Sequence, residues 1–562
     1  MKYQSLLVPS LIVSVMTVLF TGCVNETPTD NPDVETIPAW VYAGGVQGTS
    51  FNSTANCFEQ PTPKVEAGDW ITMFKRGEQL FEKQYTSNQT GVRSGLGPVY
   101  VRSSCIHCHP GYGHGMSIPA GTYNSMEIGN GTLLVVYDKS DENYVTWVAG
   151  MPQLHAVAPF KAPIDEKQIT VTWQTATECA ASNNVMSFPD GESFELRYPI
   201  VNMPVSAIYG ADIIAQNNPN INNYGVKLEN TIGIFGTGLT DAIPDDSITV
   251  QWAREEQAYN KGYLKHFKTA WFSGGAWLPG AYYTNTKQGG DGTPYVRRYT
   301  YAMSRGPILD AAGANAIWNI PNVTRSNRTF HYLDLAGTNY ATISSQDPEV
   351  QAEWPAYIDR LIAADSAYAK YKLDNVEEAI YAYLTAKDLP AEMSDNDYTD
   401  FMVWHRGLAV PAVRDYRDEK VLRGKELFTE IGCATCHRPS WKTGPDHIQD
   451  PSRFFTRDQE MPRYPNQTIW PYTDFVQHKL CMAEDIRTGW CRTTPLWGRG
   501  LHMKATGDVN EARLHDTRAR NCVEAIMWHG YSEESDAIDA TRRFYNLPKK
   551  DRDALVAFLN AI

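Results

Sequence analysis

Beyond residue 20 this sequence has no apolar run long enough to span a lipid bilayer, and it is poor in positive charge. Its 562 residues include 50 Lys and Arg against 64 Asp and Glu, a net charge of −14 at pH 7. Phosphate binding needs clustered Lys and Arg, which are absent, so nucleic acid is excluded as a partner. The chain is 42% hydrophobic and 20% charged, which excludes a disordered composition and allows two or more packed domains.

Aromatic residues, by contrast, are abundant, at 12% of the chain with 31 Tyr and 15 Trp. Such a composition suits a protein that encloses large flat cofactors. Aromatic-rich β structure without any cofactor has the same composition, so the aromatic content alone leaves both interpretations open.

The amino terminus has the pattern of an export signal. An apolar stretch at residues 6–20 is followed by a small residue and Cys23, which resembles the lipobox of bacterial lipoproteins. Phe20 stands where Leu is usual, and an ordinary signal with a chance Cys is the alternative. We expect a signal peptide at residues 1–22, an acylated Cys23 and a tether through residue 66. The predicted location is the bacterial cell envelope, on an outer membrane facing the periplasm, attached through the lipid without crossing the bilayer.

Four of the ten cysteines fall into two matching strings. CIHCH (Cys105, Cys108, His109) and CATCH (Cys433, Cys436, His437) both fit C-x-x-C-H, the pattern of covalent haem attachment. The two thiols of such a string add to the two vinyl groups on one haem edge, and the adjacent His binds the iron as proximal ligand. A redox C-x-x-C pair and half of a zinc site are the rival interpretations, but neither requires the following His twice. The strings therefore predict two covalently bound haem c groups.

A repeated segment precedes each string. FKRGEQLF at residues 74–81 and VLRGKELF at residues 421–428 both have the apolar spacing of an amphipathic helix. The first copy lies farther from its string than the second, which indicates an insertion. Duplication of a cytochrome c-like domain is the simplest explanation.

The long interval between the two strings has the patterns of several strands. Residues 133–137 and 144–148 flank a polar turn and predict a hairpin, whereas residues 349–384 and 549–562 have helical periodicity. We therefore predict a mainly α fold, with two cytochrome c-like helical domains and a large β- and loop-rich insertion between the haem motifs. The predicted haem domains span residues 67–395 and 396–562.

At this level of detail the sequence resembles a family of bacterial di-haem oxidoreductases, related to di-haem cytochrome c peroxidases and methylamine-utilisation di-haem enzymes. The resemblance covers the carboxyl-terminal part almost continuously and the amino-terminal half only in places. The matching strings are GLGPVYVRSSCIHCH (95–109), IGIFGTGLTDAIPDDSI (232–248), LAVPAVRD (408–415), KELFTEIGCATCHRPSWKTG (425–444), NQTIWPYTDF (466–475), RTTPLWGRG (492–500) and LHDTRARNCVEAIMWHG (514–530).

This resemblance implies a peroxidase-like oxidoreductase. A redox protein or small donor would reduce the carboxyl-terminal haem, and electrons would pass to the amino-terminal haem, where peroxide or another oxidant binds. Two other functions stay open: a non-catalytic electron carrier with two six-coordinate irons, and a haem-dependent oxygenase that cleaves a hydrocarbon polymer. Calcium is a further cofactor that the resemblance leaves open.

The resemblance also points to a distal iron ligand. In the peroxidase relatives, a Glu-Ala-aliphatic stretch leads to the Met that is the sixth ligand of the carboxyl-terminal haem, and here the aligned residue is His529. We expect bis-His ligation by His437 and His529, with a core or propionate-bonded His as the alternative. Should His529 not be the ligand, the next candidates are Met503, Met482 and His478.

The sequence departs from the family at two points. Where a His-Asp-Met-Gly string is usual, residues 478–481 read His-Lys-Leu-Cys. Where an Asp-Gly-Arg string is usual, Thr517 replaces the Gly, which puts a tight turn at that point in doubt.

Other polar residues near the motifs have competing interpretations. Asp241 is a candidate distal acid and base for peroxide cleavage, with an exposed cap or loop acid as the alternative. His114 is interpreted as a loop residue near a propionate, and His515 as a structural or propionate contact in preference to a catalytic group. The residues expected to pack on the second haem, or simply in the core, are Pro495, Leu496 and Trp497.

Five further cysteines lie outside the lipobox and the haem strings. In an oxidising envelope, Cys481 and Cys491 are candidates for a local disulfide, and Cys57 with Cys179 is a weaker candidate pair. Cys522 would then stay free and buried.

Overall fold

The computed structural model describes residues 37–87, 94–284, 292–309, 315–333, 337–450, 454–455 and 461–562. The predicted signal peptide and Cys23 lie outside these residues. Within the described part, no helix combines the length and the apolar character that a membrane crossing requires. Residues Ala39–Ile562 form one compact unit.

Helices occur along the whole described chain, with the longest in the second half. In chain order they are α1 Pro63–Glu66, α2 Ile71–Glu82, α3 Ala211–Asn217, α4 Thr237–Asp241, α5 Asp245–Asn260, α6 Asn315–Asn319, α7 Gly337–Gln346, α8 Pro348–Ala364, α9 Val376–Leu384, α10 Asp395–Arg406, α11 Glu419–Glu430, α12 His502–Thr506, α13 Cys522–His529, α14 Ile538–Tyr545 and α15 Lys549–Ala561.

The strands are short, and most have only two or three residues. They are β1 Thr49–Ser50, β2 Val99–Tyr100, β3 Gly121–Thr122, β4 Thr132–Asp138, β5 His155–Ala156, β6 Thr170–Thr175, β7 Arg197–Asn202, β8 Tyr224–Asn230, β9 Phe272–Ser273, β10 Ala276–Trp277, β11 Tyr282–Thr284, β12 Pro294–Val296, β13 Val410–Pro411, β14 Trp441–Lys442, β15 Thr468–Ile469, β16 Gln477–Lys479 and β17 Trp490–Arg492. Across the described residues they form seven two-stranded sheets and one three-stranded sheet, ordered β3-β6-β7.

Two pairs of crossed helices frame the two C-x-x-C-H strings. Helix α2 packs against α10, and α11 packs against α15. A glycine lies at each crossing: a Cβ at Gly77 would collide with the backbone of Asp400, and a Cβ at Gly424 would collide with that of Ala554. The repeated segment of the sequence is therefore a repeated structure, because each copy presents its glycine to a partner helix and its apolar face to the core.

The longest β ladder joins distant parts of the chain. Strand β4 pairs antiparallel with β8, with Leu133 opposite Glu229. The predicted hairpin of residues 133–137 with 144–148 is wrong in part. Tyr137 bridges Tyr144 and the amide of Val145 donates to the carbonyl of Val136, but residues 144–148 do not form a regular strand. The full-length partner of β4 is β8.

The predicted fold class is also wrong. The protein is 36% helix and 14% strand, with the strands spread over many small sheets, so it is not a mainly α assembly of two cytochrome c-like domains. The helical prediction depended on the repeated amphipathic segments. Between them, the aromatic-rich and glycine-rich stretches form turns, short strands and irregular loops. The predicted boundary at residue 395 falls where α10 begins, and that helix packs against α2.

Candidate functional site

The first C-x-x-C-H string forms a tight turn after β2. Residues Cys105–His107 make one 3-10 turn, and the amides of Cys108 and His109 both donate to the carbonyl of Cys105. The three chemistry-bearing side chains then line a cavity of about 540 Å³, which we call the His109 cavity. That volume is in the range of a buried small-molecule or cofactor site.

The second string has the same local geometry. Residues Cys433–Thr435 form a 3-10 turn directly after α11, and the amide of His437 donates to the carbonyl of Cys433. Cys433, Cys436 and His437 line a second cavity, of about 320 Å³, which we call the His437 cavity.

A phenylalanine supports each proximal histidine in the same way. The ring centroids of Phe81 and His109 are 6.2 Å apart with an interplanar angle of 48°, and those of Phe428 and His437 are 6.3 Å apart at 53°. Both phenylalanines come from the repeated helices α2 and α11. The duplication seen in the sequence therefore extends to the orientation of the imidazole rings.

His529 faces His437 across the second cavity. Their ring centroids are 6.3 Å apart, about the separation expected when two imidazoles bind one metal from opposite sides with metal–nitrogen distances of about 2 Å. The Nδ1 atom of His437 lies 3.1 Å from the carbonyl of Tyr472, and that of His529 lies 2.7 Å from the carbonyl of Ala525. Each Nδ1–H can donate to its carbonyl, which leaves both Nε2 lone pairs for a metal.

Burial keeps these imidazoles neutral, as a metal ligand must be. It lowers the pKa of His109 and of His437 to about 4, and it also lowers the pKa of His529. The proximal Nδ1 of His109 lies 3.4 Å from the carbonyl of Gly113. The three side chains therefore have the protonation state required to bind iron near neutral pH.

The His109 cavity differs from the second one. His437 has a ring contact with His529, whereas among the described residues His109 has no ring contact with a second imidazole. His405 lines the cavity with both ring nitrogens buried and without a hydrogen-bond partner, and Met151 lines another part of it.

His405 follows Trp404 on α10. Trp404 contacts Phe81 in the same way as Phe558 of α15 contacts Phe428. His405 therefore corresponds to Leu559, which follows Phe558 on α15. No spacing pattern in the sequence identifies this histidine.

Buried arginines test whether haem fits. Nη2 of Arg492 and Nη1 of Arg499 are buried without a partner, and both residues line the His437 cavity. Burial removes each guanidinium from water and lowers its pKa to about 10. Arg297 and Arg305 line the His109 cavity. Haem has two propionates that need cationic partners, so both cavities fit that group in charge as well as in ligand type.

Glu229 is a site residue that the sequence analysis missed. It lies on β8, faces the His109 cavity and has a buried Oε1 atom with no hydrogen-bond partner. Burial raises the pKa of Glu229 to about 7, although Arg487 and Arg305 oppose the shift. A carboxyl with such a pKa can give and take a proton near neutral pH. Only the pairing of β8 with β4 brings it to the site, so no local motif could have identified it.

Asp241 lies in a buried network of hydrogen bonds, outside both haem cavities. It is buried, which rules out an exposed cap or loop acid. Its Oδ2 atom accepts a hydrogen bond from Arg406 at 2.9 Å, and its Oδ1 atom accepts from the hydroxyl of Tyr299 and the amide of Ile308. Asp241 does not line either haem cavity. Its proposed role as a distal acid stays a prediction, with both oxygens already engaged.

The other predicted contacts are distributed between the cavities. His515 lines the His437 cavity together with Pro495, Leu496, Met482 and His478. Trp497 and His114 line a smaller neighbouring cavity. His478 is hydrogen-bonded through Nε2 to Asp474 at 2.8 Å, and Met503 is 45% exposed and does not line the His437 cavity.

One cluster of metal-ligand side chains occurs among the described residues. Atoms of Cys436, Asp474 and His478 lie within 4.8 Å of one another. Cys436 belongs to the haem string, and the set is not the oxygen-only shell that calcium takes. Calcium stays a prediction without assigned ligands.

The turn at Thr517 is retained without the family's glycine. Thr517 adopts φ 63°, a left-handed conformation that is unfavourable for a β-branched residue. The side chains of Asp516 and Arg518 pair across it, with Arg518 Nη2 at 2.7 Å from Asp516 Oδ2. The buried ion pair therefore holds a turn that glycine would adopt without strain.

The candidate disulfide partners are separate thiols in the structure. Cys491 is opposite His478 in the β16–β17 hairpin, whereas Cys481 lies beyond its end. Sγ of Cys481 contacts the carbonyl of Glu534, and Sγ of Cys491 contacts that of Arg492. Cys57 and Cys179 are also free and buried, as is Cys522.

Comparison with known families supplies one match. The sequence profile described as "Di-haem oxidoreductase, putative peroxidase" matches residues 40–271 and 349–562, well over half of the chain. Both C-x-x-C-H strings, Glu229 and His529 lie inside the matched regions. No curated protein matches the chain.

Proposed function

The chain belongs to the di-haem oxidoreductase family, and we propose that it is a c-type di-haem peroxidase. Electrons from an external donor enter at the His437 cavity and pass to the His109 cavity, where a peroxide is reduced. Cys105 and Cys108 would hold one haem through thioether bonds, and Cys433 and Cys436 would hold the other.

The contrast between the two cavities carries this proposal. His437 has a second imidazole opposite it, an arrangement that would suit electron transfer because both histidines could bind the same iron. His109 has no such partner among the described residues, and its cavity is the larger one. An open position beside a proton-transferring carboxyl is what peroxide reduction requires.

Bound haem supplies the iron that takes up peroxide and passes electrons. The side chains of this protein supply ligation and proton transfer. His109 would bind one iron, and His437 and His529 would both bind the other. Glu229 takes a proton from the peroxide in its carboxylate form and returns it to the departing oxygen, so that peroxide, two electrons and two protons give two molecules of water.

The two cavities share part of a wall, which supports electron transfer between them. The buried side chain of Tyr301 lines both. Its ring lies 6.4 Å from that of His515, which also belongs to the His437 cavity. A short, solvent-excluded separation of this kind favours internal transfer over loss of electrons to solvent.

Substitution of Glu229 by Gln tests the proposed reaction. Because burial raises the pKa of Glu229 to about 7, the carboxylate is lost as pH falls through that value. We therefore expect the second-order rate of peroxide reduction to rise with pH through about 7 in the wild type. In Glu229→Gln the rate should drop by about 10²- to 10⁴-fold and lose this titration.

A matched control is Glu195→Gln, on an exposed carboxylate away from both cavities. It should leave rate and pH profile unchanged. A wild type that does not consume peroxide, with both irons low-spin, would instead indicate an electron carrier. Full activity with an unshifted pH profile in Glu229→Gln would remove Glu229 from the proposal.

We also propose that the protein is a lipoprotein of the bacterial cell envelope, acylated at Cys23 after cleavage of residues 1–22. The lipobox-like string supports this location, and the redox partner would then be another envelope component. Mass spectrometry of the mature amino terminus tests it: an unmodified terminus at another residue would refute the anchor.

A further inference from the structure

A cluster of buried aromatic side chains surrounds Tyr383 on α9. Its ring lies 5.5 Å from that of Trp354, 5.9 Å from that of Tyr357 and 5.9 Å from that of Tyr371. All four side chains are less than 7% exposed. Tyr and Trp are the side chains that lose an electron most readily, so this cluster is a chain of oxidisable groups as well as a packed core.

A buried base is hydrogen-bonded to the central tyrosine. The hydroxyl of Tyr383 lies 3.2 Å from Nε2 of His331, and Nδ1 of His331 lies 3.3 Å from the carbonyl of Asn322. Nδ1–H therefore donates to the carbonyl, and Nε2 accepts from Tyr383. Burial lowers the pKa of His331 to about 4, so the ring is neutral and able to accept a proton. The hydroxyl of Tyr357 lies 3.0 Å from that of Tyr383 and completes the hydrogen-bonded row.

The inner end of this row lies beside the His109 cavity. Tyr332, the residue after His331, lines that cavity, and its ring is 4.5 Å from that of Trp318. Asn322 is hydrogen-bonded to both His331 and Tyr332. Its side-chain oxygen accepts from the amide of Tyr332, and its backbone carbonyl accepts from Nδ1 of His331.

The aromatic cluster approaches the surface at Tyr371, which contacts Tyr383 through its ring. The hydroxyl of Tyr371 donates to Oδ1 of Asp388 at 2.8 Å, and the side chain of Asp388 is 72% exposed. Tyr371 therefore has its own proton acceptor, at a point open to solvent. Tyr383 and Tyr371 each have a hydrogen-bonded proton acceptor, His331 and Asp388, which hydrophobic packing alone does not require.

We propose that Tyr383 is a redox-active tyrosine that links the His109 cavity to a surface oxidation site at Tyr371. This inference rests on the proposed peroxidase function. When peroxide oxidises the His109 site, Tyr383 gives up one electron toward that site, and its hydroxyl proton moves to Nε2 of His331. The products are a neutral tyrosyl radical and an imidazolium.

The radical then moves from Tyr383 to Tyr371, toward the surface. Tyr371 gives an electron to the Tyr383 radical and its hydroxyl proton to Asp388, while His331 returns its proton to Tyr383. An external one-electron reductant beside Tyr371 then supplies an electron, and Asp388 returns the proton, which restores the tyrosine. A donor too large to enter the His109 cavity could be oxidised in this way.

Freeze-quenched EPR of the oxidised holoprotein mixed with hydrogen peroxide tests the proposal. We expect an organic radical signal whose hyperfine splitting collapses when the protein contains ring-deuterated tyrosine. The signal should be lost in Tyr383→Phe. It should persist in the control Tyr368→Phe, which removes a hydroxyl from the same cluster, 6.4 Å ring to ring from Tyr383.

The outcomes separate this inference from the proposed function. If peroxide changes the haem absorption but deuteration leaves the radical signal unaltered, or no radical forms, the redox role of Tyr383 is wrong and the peroxidase proposal stands. The same holds if the signal survives in Tyr383→Phe. If peroxide leaves the haem absorption unchanged, both proposals fail. The deuteration experiment uses the wild-type chain, so a signal that deuteration leaves unaltered refutes a tyrosyl radical even if the variant does not fold.

Discussion

At the scale of single residues, His529 shows how much a motif can predict. The sequence marks it through the family resemblance, as the residue that replaces a methionine ligand. The structure places its ring 6.3 Å from that of His437, with each Nδ1 facing a backbone carbonyl. Two neutral imidazoles with free Nε2 atoms face each other, so bis-His ligation is the arrangement that this geometry supports.

Replacing His529 by Ala tests that ligation. The low-spin signal of one haem should become high-spin or should bind added imidazole, because the variant vacates one axial position. The control is His515→Gln. His515 also lines the His437 cavity, but its ring is not the one opposite His437. EPR and optical spectra of the ferric proteins provide the measurement. An unchanged low-spin spectrum in His529→Ala would assign the ligand to another residue.

Other site residues could not be found from the sequence. Glu229 and His405 have no spacing relationship to either haem string, and they reach the His109 cavity only through the β4–β8 ladder and the α2–α10 crossing. Asp241 was predicted as a distal acid because peroxide cleavage needs a proton-transferring group near the iron. It is buried with Arg406, whose guanidinium also pairs with Asp446. Motifs identify groups fixed by local covalent spacing, whereas these three depend on long-range contacts.

At the scale of secondary structure, the repeated helices were predicted well. Residues 74–81 and 421–428 lie inside α2 and α11, and the predicted final helix is confirmed as Lys549–Ala561. Strong amphipathic periodicity explains this success. Strand pairing was predicted poorly, because a short strand carries no information about a partner that lies far along the chain.

The glycine at each helix crossing carries a testable consequence. In Gly424→Ala the new methyl group meets the backbone of Ala554, so the helices must separate. We expect a loss of about 1–3 kcal/mol in the free energy of unfolding, measured by denaturant titration of the holoprotein. The control is Gly280→Ala, where a Cβ would meet nothing within 4 Å. Equal stability of the two variants would contradict the close α11–α15 packing.

At the scale of the whole molecule, the predicted mainly α fold failed in the long interval between the haem strings. Part of that interval, residues 272–348, lies outside the family match. It supplies Arg297, Tyr301 and Arg305 to the wall of the His109 cavity, and His331 to the hydrogen bond with Tyr383. The segments inside the family match thus contain the proposed iron ligands, whereas residues 272–348 contribute side chains to the wall of the His109 cavity.

The central claim is that one haem is closed by two histidines and the other keeps an open position. EPR of the ferric holoprotein, with spin quantification, tests it most directly. We predict one low-spin and one high-spin iron per chain, with two haems that remain attached after denaturation. Two low-spin irons, neither of which binds an added ligand after partial reduction, would contradict it.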